Sequence, residues 1–232
     1  MKKCLALIVA IALMFLCSAA LADTEITVSG TGEVRISADT AVISLGVNAR
    51  DKDALKAQQK ANGIIAAIRA ALQAEGVEEK EITTDFMNLY AIYDYQNDGE
   101  QVSAYNASST LAIRVTDMER VGTLIDVSFG AGANTLNGIT FSASDPGEAK
   151  TEAMKAAVAD AQRKAEILAE AAGLQITGME SIAEGSVYSY ENSVGNVYAR
   201  AAGMDAEEDA GTVVQAAKLL VSATVTITFE AK

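Results

Sequence analysis

Few kinds of side chain in this 232-residue chain are equipped for chemistry. There is no histidine, and the two cysteines, Cys4 and Cys17, both fall in the apolar opening stretch. Without imidazole the chain lacks the usual proton shuttle at neutral pH, and beyond position 17 it lacks both of the best transition-metal ligands. Ser-His-Asp and Cys-His catalysis are therefore excluded, as are zinc sites built on Cys or His. Carboxylates, Lys, Tyr and Ser remain. With 31 acidic residues, chance pairs are plentiful, and the two acids of a glycosidase meet only in the fold. Spacing thus nominates no catalytic, cofactor-binding or metal-ligating residue.

Four patterns nevertheless invite a chemical reading. Asp205, Glu207, Glu208 and Asp209 offer hard oxygen ligands suited to calcium, but the ordered Asp-x-Asp-x-Asp-Gly spacing of a dedicated loop is missing, so a solvated acidic loop is the preferred reading. Gly30-Thr31-Gly32 falls short of a dinucleotide fingerprint, because Arg35 stands where the third glycine belongs. Paired glycines inside a strand mark a bulge, the expectation here, or a close backbone approach. Tyr90, Tyr93, Tyr95 and Tyr105 gather around one hairpin, and Tyr188, Tyr190 and Tyr198 near a later loop; they suit a subunit interface or ordinary sheet edges. Asn106-Ala107-Ser108 has the form of a glycosylation sequon, to which a bacterial export signal would give no meaning.

The opening stretch reads as that signal. Met1-Lys2-Lys3 is a positive start, Leu5 to Leu16 is almost unbroken apolar sequence, and Ala20-Leu21-Ala22 is a small-x-small cleavage pattern. Asp23 and Glu25 follow at once with no basic stop, so residues 1–22 are expected to be removed rather than kept as a transmembrane anchor. Leu16 before Cys17 also disfavours lipid attachment. Cleavage would take away both cysteines, Lys2 and Lys3, and so move the net charge from −13 to −15. Such a chain is redox-inert and repels nucleic acid and anionic lipid. The remaining 210 residues are enough for a core without disulfides. Half the residues are hydrophobic but only 5% aromatic, with no Trp and one Pro, a composition that does not suggest a carbohydrate-binding platform.

The elements that must position these groups follow from periodicity. Residues 26–36 and 43–47 alternate as two strands around Ser37-Ala38-Asp39-Thr40 and are expected to form an antiparallel hairpin. Asp53 to Glu75 is helical, with Ala61, Ile64, Ile65, Ile68 and Leu72 on one stripe and Gly76 as the stop. Ile82 to Tyr95 and Val102 to Thr116 form a longer hairpin with its tip at Asn97-Asp98-Gly99. Thr116-Asp117-Met118-Glu119 has capping-box spacing and starts a short helix ending near Gly130 or Gly132. A strand at 135–142 leads to Asp145-Pro146-Gly147-Glu148, a strong helix start. That helix runs to Ala172, with Met154, Val158, Ala161, Ala165 and Leu168 on its inner face and Gly173 closing it. Residues 176–188 are extended, residues 189–212 form a mobile acidic loop, and residues 219–229 alternate with a period of two. The order ββαββαβαββ predicts an α+β fold, mainly antiparallel sheet with helices packed on one side, as a single domain over residues 23–232.

In this order the pieces resemble the SIMPL-domain family of exported and envelope proteins. Residues Ile26 to Val34 are similar to its first strand, and Ala38-Asp39-Thr40-Ala41 to its Pro-Asp-x-Ala turn with Ala in place of Pro. Asn62 and Gly76-Val77, then Ile82-Thr83-Thr84, Leu89 and Tyr93, continue the pattern, although Ala91 stands where Pro is common. It goes on through Tyr105-Asn106-Ala107, Leu111 to Val115, Gly130-Ala131-Gly132-Ala133, and the helical Asp160-Ala161, Lys164-Ala165 and Leu168-Ala169. The likeness spans residues 25–230 and fails mainly in 189–212. It implies a secreted or periplasmic domain that self-associates, with links to envelope and stress phenotypes and no agreed catalytic residue.

Three functions compete on these grounds. The first expectation is a non-enzymatic envelope protein, periplasmic or extracellular, that forms a homo-oligomer and meets envelope partners. A module binding a small ligand, peptide or cation through the 189–212 loop is the alternative. A carboxylate hydrolase is the third.

Overall fold

The computed structural model describes residues 24–94, 101–190, 192–194, 211–216 and 218–232. The leader, the Asn97-Asp98-Gly99 tip and the cluster Asp205 to Asp209 lie outside them. Among the described residues eight strands and three α-helices follow in order: β1 (Thr24–Ile36), β2 (Thr40–Asp51), α1 (Ala54–Ala74), β3 (Ile82–Asp94), β4 (Gln101–Val115), α2 (Val121–Gly130), β5 (Thr135–Ser142), α3 (Gly147–Ala172), β6 (Ile176–Tyr190), β7 (Asn192–Val194) and β8 (Leu219–Ala231). The fold class is α+β, as the periodicity implied. The short β7 lies inside the stretch expected to be loop.

The chain divides into two units, each with its own sheet. The larger takes the described residues of 35–146 and 189–220 and carries a five-stranded sheet in the order β3-β4-β2-β5-β7. Its register sets Ile43 beside Ile113 and Leu45 beside Leu111, and these apolar positions join Ile68 and Leu72 of α1 in one fully buried cluster. Gly138 pairs with Ser44 and Leu136 with Leu45, so Asn137 is the extra residue of a bulge.

Each helix end has a local cause. Asp53 caps α1 by accepting the Lys56 amide at 3.0 Å. At the other end Gly76, at φ +85°, lets its own N–H reach Gln73 and that of Val77 reach Leu72, a Schellman closure that only glycine enters at low cost. The short helix is capped by Asp117, whose carboxylate accepts the Glu119 amide at 3.1 Å, rather than by Thr116 as the capping-box spacing implied. Its first turn is 3₁₀, over Met118–Arg120, which moves the cap one residue on. After β7, residues 211–216 form a strap. Asp126 accepts the Thr212 amide at 2.9 Å and its hydroxyl at 2.5 Å, and Val214 and Ala216 pack on the core. A Cβ on Gly122 would stand 1.8 Å from the Thr212 carbonyl oxygen, so the strap lies where only glycine admits it.

The smaller unit takes the described residues 24–34, 147–188 and 221–232 and carries a three-stranded sheet in the order β1-β8-β6. In β8 the predicted alternation is complete: Val221, Ala223, Val225, Ile227 and Phe229 are buried. The expected β1–β2 hairpin does not form. Strand β2 is central, with β4 on one edge and β5 on the other, so no hydrogen-bonding edge remains for β1, which pairs with β8 instead.

Helix α3 buries Ala149, Ala153, Ala157, Ala161, Ala165 and Ala169, one alanine every four residues. The inner face is therefore rotated from the expected one: Ala161 and Ala165 belong to it, whereas Leu168 is half exposed. The reason sits on β1. A Cβ on Gly30 would lie 2.0 Å from the carbonyl oxygen of Ala157, and one on Gly32 2.1 Å from that of Ala153. Close backbone approach thus accounts for both glycines. Helix and strand meet at a distance that admits only methyl groups on one side and hydrogens on the other.

Candidate functional site

Several carboxylates are occupied in holding the fold. Asp160 of α3 accepts the Thr31 amide at 3.0 Å and pairs with Lys164 at 2.6 Å and with Arg163. Lys164 also donates to the Ser29 carbonyl at 2.9 Å, so the latch bridges both sides of Gly30. The Lys164 hydrogen bond and then the Thr31 amide hold the Asp160 carboxyl down at a pKa of about 2. Asp39 accepts the Ser144 amide at 2.8 Å and its hydroxyl at 2.6 Å, and these bonds hold its carboxyl below the usual range. Lys60, at 2.6 Å, and the Asp53 amide do the same for Asp51.

A shallow cleft of about 180 Å³ lies in the larger unit, lined by Gly76, Glu78, Glu81, Arg114, Asp117 and Arg120 among others. Three opposite-charge pairs stand in or beside it: Arg114 faces Glu81 at 4.0 Å, Lys80 meets Glu78 at 2.6 Å, and Arg120 lies 3.8 Å from Glu75. Among the described residues no group of three or more acids stands close enough together to hold a metal ion.

Strand β3 is an exposed edge strand of the larger unit. It is 13 residues long, stands at the edge of the five-stranded sheet, and buries Ile82 alone. Phe86, Met87, Leu89, Tyr90 and Tyr93 are all between 40% and 56% exposed. Direct cross-strand partners share a face, so Met87, opposite Ser109, and Leu89, opposite Ala107, lie on the α1 side. Phe86, Asn88 and Tyr90, opposite Thr110, Ser108 and Asn106, lie on the other. The wide spread of apolar groups follows from α1, which covers β2 and β4 but reaches little of β3.

Of the tyrosines singled out by sequence, Tyr90, Tyr93 and Tyr105 do share this hairpin, Tyr105 being half-buried against the cluster of Val47, Ala49, Ala57, Ala61 and Ala107. Tyr188 is exposed on β6, Tyr190 ends that strand, and Tyr95 and Tyr198 lie outside the described residues. Sequence reading singled out neither Phe86 nor Met87, because the edge position of the strand shows only in the strand order. Asn106 of the sequon is 1% exposed and donates to Ser108 at 3.0 Å.

Comparison with known proteins places this geometry. Residues 26–229 match the SIMPL family model, described as "Protein of unknown function (DUF541)". The chain is 30% identical over 165 residues to the 26 kDa periplasmic immunogenic protein of Brucella melitensis, covering 69% of this chain and 66% of that one. It is 28% identical to the uncharacterized protein YggE of Escherichia coli K12 over 62% of this chain and 59% of that one, and likewise 28% to YggE of Edwardsiella ictaluri over 74% and 69%. The matches thus span just under two thirds of the Brucella protein and less of its E. coli counterpart.

Proposed function

Since the chain belongs to the SIMPL family, we propose that it is a non-enzymatic exported protein of the cell envelope that assembles with copies of itself along strand β3. Export is supported by the leader-like residues 1–22 and by the periplasmic location in the name of the Brucella relative. No helix among the described residues is long and apolar enough to cross a membrane.

The observation that carries assembly is the β3 edge. A long strand with one row of main-chain groups facing outward and apolar side chains on both faces is a template for another chain. Natural edges are blunted by Lys, Pro or inward charges, and from Thr83 to Tyr93 there is only Asp85. In a molecule of net charge −13 this strip is nearly neutral, so a second copy meets little repulsion there. A role without catalysis is supported by the absence of His, by the pairing of Glu78 with Lys80 and of Glu81 with Arg114, and by the structural work of Asp39, Asp51 and Asp160.

Size-exclusion chromatography with light scattering on residues 23–232 tests the reading. Mass at a fixed multiple of the protomer is expected, and a strict monomer at high concentration would overturn it. Binding of a cation by the 189–212 loop is the second reading, favoured by the run Asp205, Glu207, Glu208 and Asp209. It expects a rise in melting temperature at millimolar calcium.

A further inference from the structure

Strand β3 is regular over a bounded stretch. Its register against β4 shifts between Thr84 and Phe86, where Asp85 is the extra residue, and again between Ile92 and Tyr93, where Ser103 of β4 is the extra one. A bulge bends and twists the strands, so a new neighbour on the free edge would lose step at each of these places. Between them Phe86 to Ile92 runs without interruption, and none of these residues is charged.

Helix α1 borders β3 along one stripe. Arg69 donates to the Ile82 carbonyl at 2.9 Å and to Thr84 Oγ1 at 3.2 Å, and Gln58 Nε2 lies 4.0 Å from Met87 Sδ. Helix and strand therefore run in opposite senses, and one turn before Gln58 the same stripe brings Leu55 towards Leu89. Leu55, Met87 and Leu89 are 66%, 56% and 40% exposed, which gives the α1 side of the edge an apolar strip. Phe86 and Tyr90 are exposed on the other side.

Resting on the assembly proposed above, we infer that two copies join β3 to β3 antiparallel about a two-fold axis at Leu89, so that five strands from each copy make one continuous sheet. A two-fold axis normal to the sheet sets an edge antiparallel to itself, and directly opposed residues share a face. One residue then stands opposite its own copy. Placing the axis at the midpoint of Phe86–Ile92 brings the whole regular stretch into register. Leu89 opposes Leu89 of the second copy, Met87 opposes the small Ala91, Asn88 opposes Tyr90, and Phe86 opposes Ile92. Apolar and aromatic pairs of this kind stabilise an antiparallel ladder, whereas a charged edge under the same symmetry would set like charges against each other. The occupant is a second copy because the stretch is its own complement: bulky against small at Met87 and Ala91, apolar against apolar on the axis, and uncharged throughout.

Residues 23–232 contain no cysteine, so a single introduced thiol can form a disulfide only between copies. Met87→Cys, Asn88→Cys, Leu89→Cys and Tyr90→Cys, all at exposed positions, are oxidised with diamide and read by non-reducing electrophoresis, beside light scattering on the parent. The reduced variants are expected to melt as the parent does. Opposed Cα atoms lie about 4.5–5.5 Å apart, within disulfide reach, while those two or more residues out of register lie about 8 Å apart or further. Leu89→Cys should therefore cross-link about tenfold faster than the other three. A parent at protomer mass would remove both this pairing and the assembly on which it rests. Multimeric mass without a cross-link at any of the four positions would leave assembly standing on another surface and overturn the pairing. Fastest cross-linking at Met87, Asn88 or Tyr90 would overturn the axis.

Discussion

At the scale of single residues, two positions show how a small group decides a large contact. Gly30 and Gly32 have no room for a methyl, because the Ala157 and Ala153 carbonyl oxygens stand 2.0 and 2.1 Å from where it would sit. Helix backbone cannot move aside as a flexible side chain can. Gly30→Ala is therefore expected to lower stability by about 1–3 kcal/mol in urea titration, more than Gly63→Ala, where nothing lies within 4 Å. Asp160 supplies a pH signature at the same junction. Its carboxyl sits at about 2 in the fold against an ordinary value of 3.8, so the charged form is favoured by folding. The stability it contributes is present above about pH 4 and is lost as the pH falls towards 2. Asp160→Asn should accordingly melt lower at pH 7 and show a shallower decline between pH 4 and 2, read from melting temperature against pH.

At the scale of elements, α3 reverses a common expectation about helix faces. Its large apolar residues, Ile167 and Leu168, are exposed at 53% and 49%, whereas its buried stripe is alanine throughout. Leu168→Ala should leave the unfolding midpoint almost unchanged. Ala161→Leu, which inserts three carbons where Gly30 already touches the helix, should cost about 1–3 kcal/mol or prevent folding. Helix α1 shows the opposite economy, with the cap at Asp53 and the stop at Gly76 both written locally. Asp53→Ala should cost about 1 kcal/mol, measurable in the same titration.

At the scale of the whole molecule, the exposed β3 edge carries the expectation of assembly. Leu89→Lys places an ammonium on that edge at a position already 40% exposed. The variant is expected to elute at protomer mass while keeping the parent's melting curve in the dissociated state. An unchanged oligomer would move the interface elsewhere.

Most elements were legible in sequence because their signals are local. Alternation marks β8, Gly76 and Gly173 end helices, and the hairpin from Ile82 to Val115 needs only its own pattern. The absence of His and the confinement of both Cys to the leader also narrowed the chemistry before any fold was known. Strand partnership was not legible, since hydrogen bonds between main chains carry no residue identity; hence β1 joins β8 across nearly the whole chain, not its neighbour β2. For the same reason only the tertiary structure could turn the apolar β3 into an edge and the alanines of α3 into a core face. Sequence determined which side chains exist and how each segment curls, while exposure was settled by which segments came to lie against one another.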